Sequence, residues 1–149
     1  MIHPRDQLAA AMQTVKPAHK PRRVFNNSSG WFEIDGQRIY AKSKWERNYA
    51  RYLMHIRKSG YITEWLYEPT TFWFEGIKRG VNSYKPDFRI TYPSGDCEYI
   101  EVKGYMDSKS KTKIKRMAKY HPEIRLTVLA EGWWKDKGKE VGKYVPEWE

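Results

Sequence analysis

Between Trp31 and Ala41 apolar and polar positions alternate, with Phe32-Glu33-Ile34 before Asp35-Gly36 and Arg38-Ile39-Tyr40 after it. Alternation around a two-residue Asp-Gly turn predicts a β-hairpin. The period then lengthens. Trp45, Tyr49, Tyr52, Leu53 and Ile56 recur at helical spacing, which predicts a helix over about 44–58 with that stripe buried. Ser43 is placed to cap it and Gly60 to stop it. From Ile62 to Phe74 aromatic and β-branched residues predict one or two strands bent at Pro69, and Glu75 to Ser83 reads as a polar loop. Two strands, 88–91 and 98–103, flank the turn Tyr92-Pro93-Ser94-Gly95-Asp96. A second helix runs from about Ser108 to Tyr120, with Ile114, Met117 and Ala118 as its core face, and ends at Pro122. Ile124 to Ala130 alternates as a final core strand would.

Three regions follow: a basic arm over 1–30, a core over 31–130 and a Trp-rich tail over 131–149 whose structure the pattern leaves open. In the arm, Gln7 to Val15 suits a short amphipathic helix. Lys16, Lys20, Arg22 and Arg23 follow among prolines. A phosphate-contacting arm and an inert or dimer-exchanging extension fit that composition equally.

A length of 149 residues suits one domain, and 40% hydrophobic with 31% charged residues is an ordinary globular composition. No apolar run approaches the roughly 20 residues that span a bilayer, and Pro4, Arg5 and Asp6 interrupt any signal core. The expectation is a soluble intracellular protein. Cys97 is the sole cysteine, which excludes a disulfide within the chain and a cysteine-based zinc site and leaves a plain strand residue. The four histidines are scattered, without metal-ligand spacing. No Walker loop or Gly-x-Ser-x-Gly elbow occurs, so nucleotide use and serine hydrolysis are unsupported. Lys plus Arg outnumber Asp plus Glu 28 to 18, a net charge of +10. That field favours polyanions, although ribosomal and membrane-surface proteins share it.

The chemistry concentrates on the second hairpin. If its turn centres on Ser94, cross-strand partners have numbers that sum to 188, and Asp87 faces Glu101. Opposed residues share a face with Cβ atoms roughly 4.5–5.5 Å apart. Lys103, two positions beyond Glu101, joins them, while Phe88, Ile90, Ile100 and Val102 point into the core. Two carboxylates that close repel unless a cation lies between them. Mg²⁺ accepts one or two carboxylates, several waters and phosphate oxygens, and it activates water for attack on phosphate. Lys103 is then placed to orient that water or to stabilise growing phosphate charge. A cross-strand ion pair on a solvated face is the bland alternative.

Glu46 admits two readings. Ser43-x-x-Glu46 is a capping box in which Glu46 bonds back to the Ser43 amide. Glu46 also lies one turn into a helix that packs on the sheet, within reach of the hairpin's acidic face. It could there ligate a second metal or orient water. The second helix carries Lys109, Lys111, Lys113, Lys115, Arg116 and Lys119, either a solvated face or a cradle for the phosphates flanking a cut.

Glu46, Pro86-Asp87 and Glu101-Val102-Lys103 resemble the PD-(D/E)XK nuclease superfamily in order and spacing. Tyr84-Lys85-Pro86-Asp87-Phe88, Glu101-Val102-Lys103-Gly104 and the Lys-rich helix ending His121-Pro122-Glu123 look most like small phage endonucleases and phage Holliday-junction resolvases of the endonuclease I kind. The resemblance covers roughly residues 31–130. It implies an α/β (α+β) fold: a restriction-endonuclease-like core, with a central mixed β-sheet flanked by helices. It implies Mg²⁺ or Mn²⁺ held by Asp87, Glu101 and the Val102 carbonyl, with Lys103 as catalytic lysine and Glu46 as the helix acid. It further implies a homodimer that cuts branched DNA in the bacterial host cytoplasm, with Glu46 acting in cis or in trans. General or nicking cleavage is the alternative function. A nucleic-acid-binding protein on an inactive nuclease fold is the third.

Overall fold

The structure is a computed structural model that describes residues 29–149, so the arm's expected helix and Arg22 and Arg23 lie outside the described residues. Strands β1 (Gly30–Ile34) and β2 (Gln37–Ala41) form the first hairpin. Its turn places Asp35 at φ 55° and Gly36 at φ 74°, the left-handed pair that matches the twist of the flanking strands. Helix α1 (Lys44–Lys58) starts where Ser43 accepts the Glu46 amide and stops before Gly60, which adopts φ 81°.

Strands β3 (Glu64–Tyr67), β4 (Phe72–Trp73), β5 (Ser83–Tyr84), β6 (Phe88–Thr91) and β7 (Cys97–Val102) follow. After them come α2 (Ser108–Tyr120) and β8 (Leu126–Leu129). The main sheet is mixed, in the order β3-β6-β7-β8, antiparallel except for the β7–β8 pair. The α2 crossover makes that parallel pairing possible. Ser83, expected to end a loop, pairs instead with Trp73 of β4, and Tyr84 pairs with Phe72.

Each face of the sheet carries its own apolar cluster. Phe88, Ile90, Ile100 and Val102 pack with Tyr49, Leu53 and Ile56 of α1. Full burial of side chains such as Leu53 and Ile56 stabilises the fold by roughly 1.5–3 kcal/mol each. Tyr99 packs on the other face with Phe72, Phe74, Tyr84 and Met117 of α2. Ala118, expected in α2's core face, is exposed, because the helix touches the sheet along Ser110, Ile114 and Met117.

Residues 131–149 are integral to the first cluster. Helix α3 spans 131–141, with a π-helical turn over Trp134–Gly138, and Trp134, Val141 and Val145 are buried. Trp134 stacks on Trp45 with ring centroids 5.3 Å apart. Glu149 lies along α1, where Arg47 Nε and Arg51 Nη1 each donate to it at 2.7 Å. Asn48 exchanges two further bonds with the Glu149 main chain. Those contacts bury Arg47 and Asn48, which the apolar stripe of α1 does not include. None of the described helices is long and apolar enough to cross a membrane.

Candidate active site

The β6–β7 register pairs Phe88 with Ile100, Arg89 with Tyr99, Ile90 with Glu98 and Thr91 with Cys97. Every pair sums to 188, so the ladder's next step sets Asp87 against Glu101, as the turn geometry requires. A tight turn enforces this register: Gly95, at φ 90°, donates to the Tyr92 carbonyl, and Tyr92 donates to the Asp96 carbonyl.

Asp87 and Glu101 are both buried, at 5% and 9% exposure. Asp87 Oδ2 accepts the Val102 amide at 2.9 Å. Burial first, then the charges of Glu101 and Glu46, push the Asp87 carboxyl well above the ordinary carboxylate range. Glu101 is also raised by burial, against the opposing pull of Tyr84, Lys103 and Lys113. Its Oε2 and the Tyr84 hydroxyl are both buried and act on each other, although neither meets a partner in full hydrogen-bond geometry. Lys103 Nζ stands 3.9 Å from Glu101 Oε1, on the same face as the two-residue spacing requires. Gly104 follows because the ring of Trp45 crosses there: an added Cβ would meet it at 3.1 Å.

Glu46 enters from α1 and is buried at 5% exposure. Its Oε2 accepts an amide at 3.0 Å, and the donor is Lys42, not the expected Ser43. Ser43 Oγ in turn accepts the Glu46 amide at 3.2 Å. Burial raises its carboxyl as well, with Glu101 and Glu68 adding to the rise and Lys42 opposing it. The cap and the cluster are therefore one arrangement. The acid completes the helix start and lies within the field of Asp87 and Glu101.

Of the α2 cations, Lys113 leans over the Tyr84 ring, 5.7 Å from its centroid, and helps to line a small cleft with Glu101, Lys103 and Ser110. Arg116 donates to the Val81 carbonyl and ties the helix to the preceding loop. Lys109, Lys111, Lys115 and Lys119 are exposed. His55 is partly buried on α1, and His121 Nε2 lies 2.9 Å from the Trp73 carbonyl, packed on Phe72. Cys97 is an exposed strand residue.

Sequence reasoning assigns no role to Lys42, Glu68 or Tyr84, which surround the same cluster. The Glu68 amide donates to the Asp87 carbonyl at 2.7 Å, and its carboxylate lies 3.3 Å from Lys42 Nζ and 3.0 Å from Lys85 Nζ. Glu68 sits at φ 44°, in the left-handed region, just before Pro69. Position offers one hint: Lys42 immediately precedes the cap, and Lys85 immediately precedes Pro86-Asp87.

Among the described residues no three His, Cys, Asp or Glu side chains stand ready to hold one ion. Magnesium requires less, since one or two carboxylates suffice and water completes its octahedron. Asp87 and Glu101 offer two such carboxylates at one end of the hairpin. Glu101 Oε2, buried with only the imperfectly placed Tyr84 hydroxyl beside it, is where a hard cation would bring further compensation. Known protein families and curated proteins, compared with this chain, give no match.

Proposed function

We propose that this protein is a metal-dependent DNA endonuclease that hydrolyses phosphodiester bonds and prefers branched DNA, as phage junction resolvases do. One observation carries the reading. Two buried carboxylates, Asp87 and Glu101, crowd one end of the β6–β7 hairpin, each raised by burial, with the Lys103 ammonium 3.9 Å from Glu101 Oε1. Buried like charges cost stability, and that cost is intelligible where a cation and a phosphate complete the site.

Asp87, Glu101 and the Val102 carbonyl would hold Mg²⁺ or Mn²⁺, which would polarise the phosphate and make bound water acidic enough to attack. Asp87 is pre-oriented by the Val102 amide. Lys103 offers its ammonium to the charge that grows on the phosphate oxygens. Glu46 holds its carboxylate near both acids and can take a proton from the attacking water. Lys113 and the exposed lysines of α2 supply positive charge for the flanking backbone.

The restriction-endonuclease-like core is part of this proposal. A mixed sheet with α1 on one face and α2 on the other, and an acidic hairpin between them, suits that architecture. A homodimer is the form in which two such centres would cut opposed strands of a junction.

The test is cleavage of a labelled four-way junction and a matched linear duplex, with Mg²⁺ or with EDTA. Paired symmetric nicks on the junction alone, dependent on metal, are expected. Equal cutting of both substrates makes the protein a general or nicking endonuclease. Tight binding without cutting under any divalent metal makes it a nucleic-acid-binding protein and overturns the enzyme reading.

A further inference from the structure

The carboxylate cluster has a second cationic flank, which the sequence motif does not contain. Lys42 follows β2 at the mouth of the site. Its side chain is 63% exposed, and its ammonium rests 3.3 Å from Glu68. Lys85 reaches the same carboxylate from the residue before Pro86, at 3.0 Å. Two ammoniums share one carboxylate, so the trio carries one net positive charge, set against the acids Asp87 and Glu46. The trio is fastened to the acids by main-chain bonds. The Lys42 amide holds Glu46, and the Glu68 amide holds the Asp87 carbonyl. The Lys42 ammonium also feels the charges of Asp87 and Glu46 directly: burial lowers its proton affinity, and Glu68, then Asp87, more than restore it.

A lysine so placed has two possible uses. A purely structural one would be to neutralise Glu68. Lys85 already stands closer to Glu68 than Lys42 does, and the exposure of Lys42 leaves its remaining N–H donors facing solvent. We propose that Lys42 is a substrate-binding residue of this site, whose ammonium contacts a non-bridging oxygen of a DNA phosphate beside the one that is cut. Glu68 parks the ammonium until DNA arrives. The inference rests on the nuclease reading and adds a specific backbone contact on the side of β2, away from α2.

The experiment measures DNA affinity of the full chain in EDTA, where no cutting occurs, across about 50–200 mM salt. The probes are the labelled four-way junction and the linear duplex. Wild type, Lys42→Gln and Lys42→Arg are compared, with thermal unfolding of each. Losing one phosphate contact should lower the slope of log affinity against log salt by about 0.9, so the affinity ratio to wild type changes about three- to fourfold over that range. Lys42→Arg should restore the slope. Unfolding midpoints should match wild type, because the bond to Glu46 comes from the Lys42 main chain.

A wild-type slope in Lys42→Gln, while wild type binds and cuts, overturns this inference alone. A lowered midpoint with an unchanged slope makes Lys42 structural and overturns it as well. Failure of wild type to bind either DNA overturns the nuclease reading together with it. Should Lys42→Gln not fold, Glu68→Gln decides: releasing the ammonium should tighten binding, and unchanged or weaker binding rejects the proposal.

Discussion

Strand β7 buries two glutamates three residues apart, Glu98 at 3% exposure and Glu101 at 9%, and their surroundings are opposite in kind. Glu98 lies on the α1 face, where the Tyr92 hydroxyl donates to it at 2.7 Å and the Thr127 hydroxyl donates to its other oxygen. Glu101 lies on the α2 face with Oε2 in no full hydrogen-bond geometry, Asp87 and Glu46 adding negative charge and Lys103, Lys113 and Tyr84 only partly offsetting its burial. Asp35 resembles Glu98: Arg57 and the Trp65 indole satisfy it, and Arg57 foremost holds its carboxyl below the usual range. Equal burial thus conceals two purposes. Glu98 is held by two hydroxyls and fixes the fold, whereas Glu101 keeps a raised carboxyl despite Tyr84, Lys103 and Lys113, the strain that the proposed function would put to use.

The largest expected effect breaks chemistry without breaking the fold. Glu101→Gln should cut metal-dependent cleavage by at least about 100-fold. Without divalent metal, its unfolding midpoint should rise by about 2–5 °C, since one buried like charge is gone. A midpoint that falls would place Glu101 with the structural acids. Glu149→Ala should do the reverse, with a loss of about 3 kcal/mol in urea unfolding, because Arg47, whose side chain is 1% exposed, loses its carboxylate. Glu98→Ala should cost about 1–3 kcal/mol by leaving the Tyr92 hydroxyl without its carboxylate, while residual cleavage at fixed folded fraction stays near wild type.

The smallest effect is read through pH. Asp35→Asn keeps a residue that tolerates φ 55° and removes the charge together with one of the two acceptor oxygens, at a cost of about 1 kcal/mol at pH 7, given the partly exposed Arg57. A depressed folded-state pKa stabilises above the unfolded value of about 3.9 and ceases to do so as pH falls through the folded value. The difference between Asp35→Asn and wild type should therefore be full at pH 7 and shrink as pH falls through the lowered folded-state value of Asp35. A difference that persists in acid would mean that the turn's geometry, not its ion pair, carries the stability.

These contrasts also mark what the chain discloses locally. The Asp35-Gly36 turn, the Ser43 cap and the 188-sum register were legible because each depends on residues adjacent in sequence or joined by one short turn. The burial of Arg47 and Asn48 was not, since its cause is Glu149, about a hundred positions away. Trp134, Val141 and Val145 were missed for another reason: a π-helical turn between them disrupts the spacing that would have announced a helix. The site divides the same way. Asp87, Glu101 and Lys103 follow from the hairpin alone, whereas Lys42 and Glu68 join them only through contacts between separate strands.

The Asp87 carboxylate does something besides crowd its neighbours: it accepts the Val102 amide at the end of the β6–β7 ladder. That amide is in effect a built-in electrode on the site. Whatever changes the charge on Asp87, whether a proton, a divalent ion or an approaching phosphate, alters the polarisation of that N–H and the ease with which the hairpin's end frays. Its nuclear resonance frequency and hydrogen-exchange rate would register any such change at a single backbone atom.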